Sequence, residues 1–300
     1  MGWKTPQTSW TEGGFWKGGP APSSSRRSLV VDAHQHFWDP RRAHYAWLTD
    51  ERAAIRRPFT PDDLRPLLRA NGVDRTIVIE ARSSVEETRE LLALAEATDF
   101  LAGVVGWVDL TGRAVEAELA NLRHAPGGRR LVGIRHQVRA EPDPEWLLRL
   151  DVLRGLAALA DVGLVYDLLV TARELPAAAE AARRVPGLEF VVEHLGGPAV
   201  RAGDDRAWAA GMARLGDLAN VSCKVSGLVV GSAEQLTPFV DRVVEWFGED
   251  RLLFGSDWPV CLLGASYQEI VGRLHAVTSA LPAPARAKVL GENAWRVYRL

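Results

Sequence analysis

Eight apolar runs alternate along this 300-residue chain with stretches whose apolar residues recur at helical spacing. Most of the runs are continuously apolar, which is typical of parallel β-strands covered on both faces. Strands and helices alternating in this number predict a TIM-like (β/α)8 barrel, for which about 250 residues suffice. No GxGxxG opens the first βα turn, which argues against a dinucleotide-binding sheet. The predicted strands are 29–36, 75–81, 101–110, 131–138, 162–170, 188–197, 221–228 and 252–260.

The segments between these strands are predicted to be helices. Residues 84–97 open with Ser84, which stands three positions before Glu87 in the spacing of a capping box. Residues 37–73 instead form a long first connection rich in aromatic residues, and this loop is a candidate wall or lid of a barrel active site. The other predicted helices are 113–124, 144–160, 172–184, 205–219, 237–247, 266–280 and 284–299.

The domain prediction is one barrel over residues 29–300 with a flexible N-terminal extension over residues 1–28, although length alone also allows two ordinary domains. The extension is rich in Gly, Ser and Pro; alternatively, its three tryptophans contact a neighbouring subunit. A net charge of −2 offers no basic surface for nucleic acid. We expect no membrane span, because no run approaches the roughly 20 apolar residues required. Two unpaired cysteines favour the cytoplasm, and the oligomeric state is open.

Polar residues able to do chemistry cluster at the ends of the predicted strands. His34 and His36 are two positions apart at the end of the first strand, so their imidazoles point to the same side. His194 ends the sixth strand, and Asp257 ends the eighth, which neighbours the first in a closed barrel. Imidazole and carboxylate ligands suit one divalent metal, for which zinc is our expectation. The alternative is a hydrogen-bonded polar cluster without metal.

Further candidates lie at the ends of other strands. Arg135 could hold a carbonyl oxygen or carboxylate, or form a surface salt bridge. His136 follows it, and because directions alternate along a strand we expect only one of the two to face the centre. Lys224 lies in an apolar strand, where either a structural ion pair or a substrate contact would explain it. Trp258 is a core residue or a ligand platform, and Glu80 is a further candidate at the mouth.

Five segments together resemble the sugar-lactonase branch of the amidohydrolase superfamily (amidohydrolase-2 type), the group that contains L-fuconolactonase and L-rhamnonolactonase. The resemblance covers about residues 29–300. It implies a β/α barrel with a hydrolytic site at the carboxyl ends of the strands and either one divalent metal or none. The segments are VDAHQHFWDP, GIRHQVRAEPD, VEHLGGP, VSCKVSGL and FGSDWPVCLL.

The resemblance also implies roles for individual residues. His34 and His36 match the strand-one pair and His194 the histidine after strand six, and together with Asp257 they are the predicted metal ligands. Asp257 matches the aspartate expected to activate water, Arg135 matches a strand-four substrate contact, and Asp257, His194 and Arg135 are the predicted catalytic residues. His136, Lys224, Trp258 and Glu80 are the predicted substrate contacts. Two positions depart from the family pattern: Glu80 stands where glutamine is usual, and Glu193 stands where aspartate is usual. Glu80 could add a metal ligand or change the substrate, which leaves the identity of the sugar open. A binuclear site is not expected, because strand five offers no histidine and strand four no lysine.

The predicted function is hydrolysis of a small sugar-acid lactone of the fucono, rhamnono or galactono kind. Asp257 would take a proton from the attacking water and return it to the ring oxygen, while the carbonyl is polarised by a metal or, without one, by Arg135 and a histidine. Alternatives are a decarboxylase of an unsaturated or aromatic acid and a 2-pyrone-dicarboxylate-type lactonase. A non-enzymatic alternative is a catalytically silent carbohydrate-binding barrel.

Overall fold

The computed structural model describes residues 28–200 and 205–300, and the predicted extension lies outside this range except for Ser28. Eight parallel strands pair in sequence order, which confirms the predicted barrel. The strands are shorter than the predicted runs, mainly because the last residues of each run belong to the loops of the mouth. They are β1 (Val31–Gln35), β2 (Arg75–Ile79), β3 (Leu101–Gly106), β4 (Leu131–His136), β5 (Val165–Leu168), β6 (Glu189–Val192), β7 (Val221–Val225) and β8 (Leu252–Phe254).

The barrel is nearly closed between β8 and β1. A parallel bridge joins Gln35 to Trp258, and the His36 amide donates to the Trp258 carbonyl at 2.7 Å. Gly255 permits this close approach, because a Cβ at that position would lie 2.6 Å from the Cβ of His34. The last residues of β1 and the turn after β8 therefore meet at one point of the mouth.

Helices cover the outside of the barrel and bury the larger apolar core against the strands. They are α1 (Pro61–Asn71), α2 (Val85–Ala97), α3 (Val115–His124), α4 (Leu150–Asp161), α5 (Leu175–Arg184), α6 (Arg206–Gly216), α7 (Ala233–Phe247) and α8 (Tyr267–Val277). Helix α1 was not predicted and lies within the long first connection. It begins with a capping box between Thr60 and Asp63, with Pro61 in the first turn. No helix of the described residues is long and apolar enough to cross a membrane.

The end of the chain closes the opposite end of the barrel. The single helix predicted there is broken into α9 (Ala283–Ala287), a π-helical turn (Lys288–Glu292) and α10 (Asn293–Val297). Ala294, Val297 and Tyr298 pack into the apolar cluster formed by the barrel interior. The Asn293 amide donates to the Leu252 carbonyl at 2.8 Å and ties this segment to the start of β8. The barrel interior is therefore sealed on this side.

Candidate active site

Three candidate ligand atoms converge at the seam between β1 and β8. The Nε2 atoms of His34 and His36 lie 3.1 Å apart, and each lies 3.5 Å from Oδ1 of Asp257. Two tetrahedral ligands that are each about 2.0–2.1 Å from a zinc ion are separated by about 3.4 Å. The spacing of the three donor atoms therefore fits one divalent cation.

The hydrogen bonds of the two rings leave both Nε2 atoms free to bind a cation. His36 Nδ1 lies 2.9 Å from the Ile79 carbonyl, which can only accept, so this nitrogen carries the proton. His34 Nδ1 lies 3.1 Å from the Glu193 carboxylate in the same arrangement. Burial lowers the pKa of His34 well below its ordinary value, so its ring is neutral. Two lone pairs thus face each other, which a shared cation would stabilise.

Asp257 is held ionised in an unusual backbone conformation. Its φ of 58° is left-handed, a conformation that aspartate adopts more readily than most residues. Burial opposes ionisation, but interactions with the surrounding imidazoles of His194, His36 and His34 hold the pKa of Asp257 below its ordinary value. The side chain is therefore a carboxylate at neutral pH, as a ligand or a base requires.

His194 lies beside the three donors and lines the cavity above them. Its Nδ1 is 2.9 Å from the Ser226 hydroxyl, and its ring centroid is 4.5 Å from that of His34. His194 could share a metal ion with His34 and Glu193. It does not belong to the other group of nearby ligand atoms, which consists of His34, His36 and Asp257. Burial lowers the pKa of His194, so it offers a neutral imidazole to whatever occupies the cavity.

Arg135 also lines the cavity and is fixed by two acids. Its Nε donates to the Glu80 carboxylate at 2.8 Å and its Nη1 to that of Glu193 at 2.9 Å. Burial opposes the charge, but Glu193 and Glu80 raise the pKa of Arg135 above its ordinary value. Glu80 is itself fully buried and contacts Arg135 without lining the cavity. The predicted substrate contact at Glu80 is therefore placed behind the cavity wall.

Lys224 lies below the site rather than in its wall. Its Nζ is 2.5 Å from Asp167 and 3.4 Å from Glu193, and the side chain is fully buried. The Tyr298 hydroxyl donates to Asp167 at 2.7 Å. Of the two interpretations of Lys224, the structure shows the ion pair, because its buried ammonium group contacts two carboxylates and the residue does not line the cavity.

His136 and Trp258 are also placed outside the cavity lining. His136 stacks on Trp146 with ring centroids 4.3 Å apart, and its Nε2 is 2.7 Å from Glu141. It follows Arg135 in β4, so the alternation of strand side chains turns it away from the centre. Trp258 packs edge-on against Phe59, with ring centroids 5.3 Å apart, and is a core residue.

The cavity has a volume of about 270 Å³, and its wall includes residues that the sequence did not single out. Trp47 comes from the long first connection, and its indole donates to the Ala81 carbonyl at 2.7 Å. Arg52 donates to the Trp47 carbonyl at 2.9 Å. Arg139 forms no ion pair with any carboxylate of the described residues. Its position four residues after Arg135, within the segment GIRHQVRAEPD, is the sequence signal that could have indicated it.

Comparison with known proteins places this site in a family. Residues 31–300 match the family model described as amidohydrolase. The chain belongs to the amidohydrolase family. It is 38% identical over 279 residues to an L-fucono-1,5-lactonase of Burkholderia ambifaria, covering 90% of this chain and 95% of the relative. It is 36% identical over 290 residues to an L-fucono-1,5-lactonase of Burkholderia multivorans, covering 91% and 97%.

A solved structure agrees with this amidohydrolase assignment. An amidohydrolase from Burkholderia multivorans with bound zinc superposes with a TM-score of 0.86 at 36% identity, covering 91% of this chain and 99% of that one. The predicted family and barrel are confirmed, and the curated relatives bear out the predicted class of enzyme, a lactonase of sugar lactones. The trio of His34, His36 and Asp257 makes a metal site plausible in this amidohydrolase.

Proposed function

We propose that this amidohydrolase opens the ring of a six-membered sugar-acid lactone of the L-fucono-1,5-lactone kind. The observation that carries the proposal is the trio of His34, His36 and Asp257 in a cavity of about 270 Å³, near the lower end of the range for small-ligand sites. The two lactonase relatives, which match nine-tenths of the chain, support the same substrate class.

The proposed cofactor is one zinc ion held by His34, His36 and Asp257. Bound there, zinc would act as a Lewis acid toward the lactone carbonyl and would lower the pKa of water. The spacing of the three donors and the bound zinc of the Burkholderia multivorans structure support this choice. Glu193 contributes by fixing the tautomer of His34, as carboxylates behind metal-binding histidines commonly do.

The protein's own groups supply the proton transfers and the positioning. Asp257 is ionised and accepts a proton from the water that attacks the carbonyl carbon. As the bond between that carbon and the ring oxygen breaks, the proton passes from Asp257 to the ring oxygen, which becomes a hydroxyl. Arg135 donates through all three guanidinium nitrogens to Glu80 and Glu193, so it lines the cavity as a fixed positive charge that can stabilise the negative charge developing on the carbonyl oxygen.

A second candidate substrate is a lactone that carries a carboxylate, such as a 2-pyrone-dicarboxylate. Arg52 and Arg139 both line the cavity, and neither forms an ion pair within the described chain, which favours an anionic group on the ligand. A neutral sugar lactone satisfies the same cations only after hydrolysis, when the product carries a carboxylate. The two candidates therefore differ in the charge of the substrate.

The experiment is a lactone screen combined with metal analysis of the purified protein. Hydrolysis is followed with a pH indicator for L-fucono-1,5-lactone, for γ-butyrolactone, which lacks the hydroxyls, and for 2-pyrone-4,6-dicarboxylate. We expect about one equivalent of zinc and a kcat/KM for the sugar lactone at least about 100-fold above that for γ-butyrolactone. Equal values for these two would contradict the proposal, and preference for the pyrone would support the second candidate.

We also propose a reducing compartment, the cytoplasm, as the place of action. Cys223 and Cys261 are both free and buried, so neither forms a disulfide within the described residues. Burial raises the pKa of both thiols, which makes them unreactive. Expression with fractionation of the native host tests this location.

A further inference from the structure

The cavity has an apolar wall that the proposed chemistry does not use. It is built from two short 3-10 turns, Leu228–Val230 after β7 and Val260–Leu263 after β8, and from the first turns of α7. The wall residues are Val229, Val230, Leu236, Val260 and Leu263. None of these side chains can bind a hydroxyl or polarise a carbonyl, so the wall has a different purpose from the donors at the cavity floor.

Two residues of this wall are unusual in their exposure. Val230 is 44% exposed and Leu263 39%, whereas most apolar side chains of the barrel are buried. Only five large apolar side chains are exposed in the described part of the chain, and these two are the pair that lines the cavity. Apolar surface left open inside a binding cavity gains from contact with an apolar group of the ligand.

The order of the strands places this wall across the mouth from Arg135 and Arg139, whereas Arg52 belongs to the turn Asp50–Ile55, which contacts the turn Val260–Leu263. In a ring of eight strands β4 and β8 are four places apart, so the segments that follow them face each other across the mouth. Arg135 and Arg139 come from β4 and the segment after it, while Leu263 follows β8. A ligand that fits both sides has polar groups that accept hydrogen bonds at one edge and an apolar substituent at the other.

We propose that Val230 and Leu263 are specificity-determining residues that recognise the C6 methyl group of a 6-deoxy sugar lactone. The inference rests on the proposed function and narrows it, because fucono- and rhamnono-lactones carry this methyl whereas galactono-lactones carry a hydroxymethyl group. A hydroxyl placed against Val230 and Leu263 would lose its hydrogen bonds to water without gaining a partner. Apolar pockets discriminate against an added hydroxyl by at most about 100-fold.

The test compares two substrates that differ by one atom. L-fucono-1,5-lactone and L-galactono-1,5-lactone share their ring stereochemistry, and only the second has a hydroxyl at C6. For the wild-type protein we expect kcat/KM to be about 10- to 100-fold higher for the deoxy lactone. In Val230→Thr, which keeps the shape of the side chain, and in Leu263→Asn, the ratio should fall at least about threefold, with most of the change in KM.

A matched control separates local from general effects. Leu150 is 84% exposed at the start of α4 and does not line the cavity, so Leu150→Asn should leave the ratio unchanged. If the wild type hydrolyses both lactones equally well, or if both cavity variants keep the wild-type ratio, the methyl recognition is overturned while the proposed function stands. Hydrolysis of neither lactone would overturn the proposed function and this inference together.

Discussion

Asp257 meets His34 twice, once through the backbone and once through the side chain. The Asp257 amide donates to the His34 carbonyl at 2.8 Å, and its carboxylate oxygen lies 3.5 Å from His34 Nε2. The first contact belongs to the seam that closes the barrel, and the second belongs to the candidate metal site. The site is therefore built at the seam, and changes to the side chain of Asp257 can be made without removing the backbone contact.

Asp257→Asn should abolish most of the activity and keep the fold. Asparagine tolerates the left-handed backbone of this position and retains the bond to the His34 carbonyl, but its amide cannot accept the proton of water. We expect kcat/KM for the sugar lactone to fall by about 10²–10⁴-fold with little change in the thermal unfolding midpoint. Asp62→Asn, on the exposed face of α1, is the matched control. More than about a tenth of wild-type activity in Asp257→Asn would contradict the mechanism.

Arg139→Gln should weaken inhibition by the sugar-acid product. Arg139 lies in the cavity without a carboxylate partner in the described chain, and burial together with the nearby Arg135 lowers its pKa. A product carboxylate would supply the missing partner. We expect the inhibition constant of the acid to rise about 5- to 10-fold, which product-inhibition kinetics measure. The control is Arg69→Gln on α1; an unchanged inhibition constant in Arg139→Gln would show that the product is held elsewhere.

Glu87 should make the protein less stable as the pH rises toward neutrality. Its carboxylate accepts the amides of Ala81 and Arg82, each at 2.9 Å, and burial raises its pKa from 4.5 to about 7. The folded protein therefore binds a proton that the unfolded chain releases between these values, so the free energy of unfolding falls across this range. The decline from Glu87 between pH 5 and pH 8 is about 2–3 kcal/mol.

Urea unfolding of the wild type and of Glu87→Gln at pH 5 and pH 8 measures this effect. Glutamine retains an acceptor for the two amides but does not titrate. The stability of the variant relative to the wild type should therefore rise between the two pH values by that same amount. An identical pH dependence in the two proteins would mean that Glu87 titrates normally in the folded state.

Tyr298→Phe should destabilise the protein without changing its shape. The Tyr298 hydroxyl donates to both oxygens of Asp167, at 2.7 and 3.0 Å, and the carboxylate is fully buried. Removing a hydrogen bond to a buried charge costs about 1.5–3 kcal/mol. Denaturant unfolding measures this loss, and a variant as stable as the wild type would mean that Lys224 alone satisfies Asp167.

The sequence could predict which strand side chains point toward the centre of the barrel. The two-residue spacing of His34 and His36 and the closure of eight strands were enough to bring Asp257 to them. The sequence could not predict whether such a side chain reaches the cavity or stays buried beneath it. Lys224 and Glu80 are both fully buried and form ion pairs with Asp167 and Arg135 instead of lining the cavity, and the spacing of residues along the strands does not indicate these partners.

Loop conformation explains the remaining differences. Helix α1 was missed although Thr60 and Asp63 form a capping box, because it contains Pro66, and a proline inside a segment usually indicates the end of a helix. Trp258 could not be assigned because the left-handed turn at Asp257 decides where the next side chain points. Arg139 lies beyond β4 in a short 3-10 turn, Val138–Ala140, where no strand periodicity applies.

The segment from α9 to Tyr298 limits the routes by which substrate and product can enter and leave the cavity. Because this segment packs into the far end of the barrel, that end gives no second way to the cavity at the mouth. The acid formed in one turnover must leave by the route that the next lactone uses to arrive. Free acid and free lactone therefore compete for the same cavity, and both of them pass the apolar side chains of Val230 and Leu263 that line it.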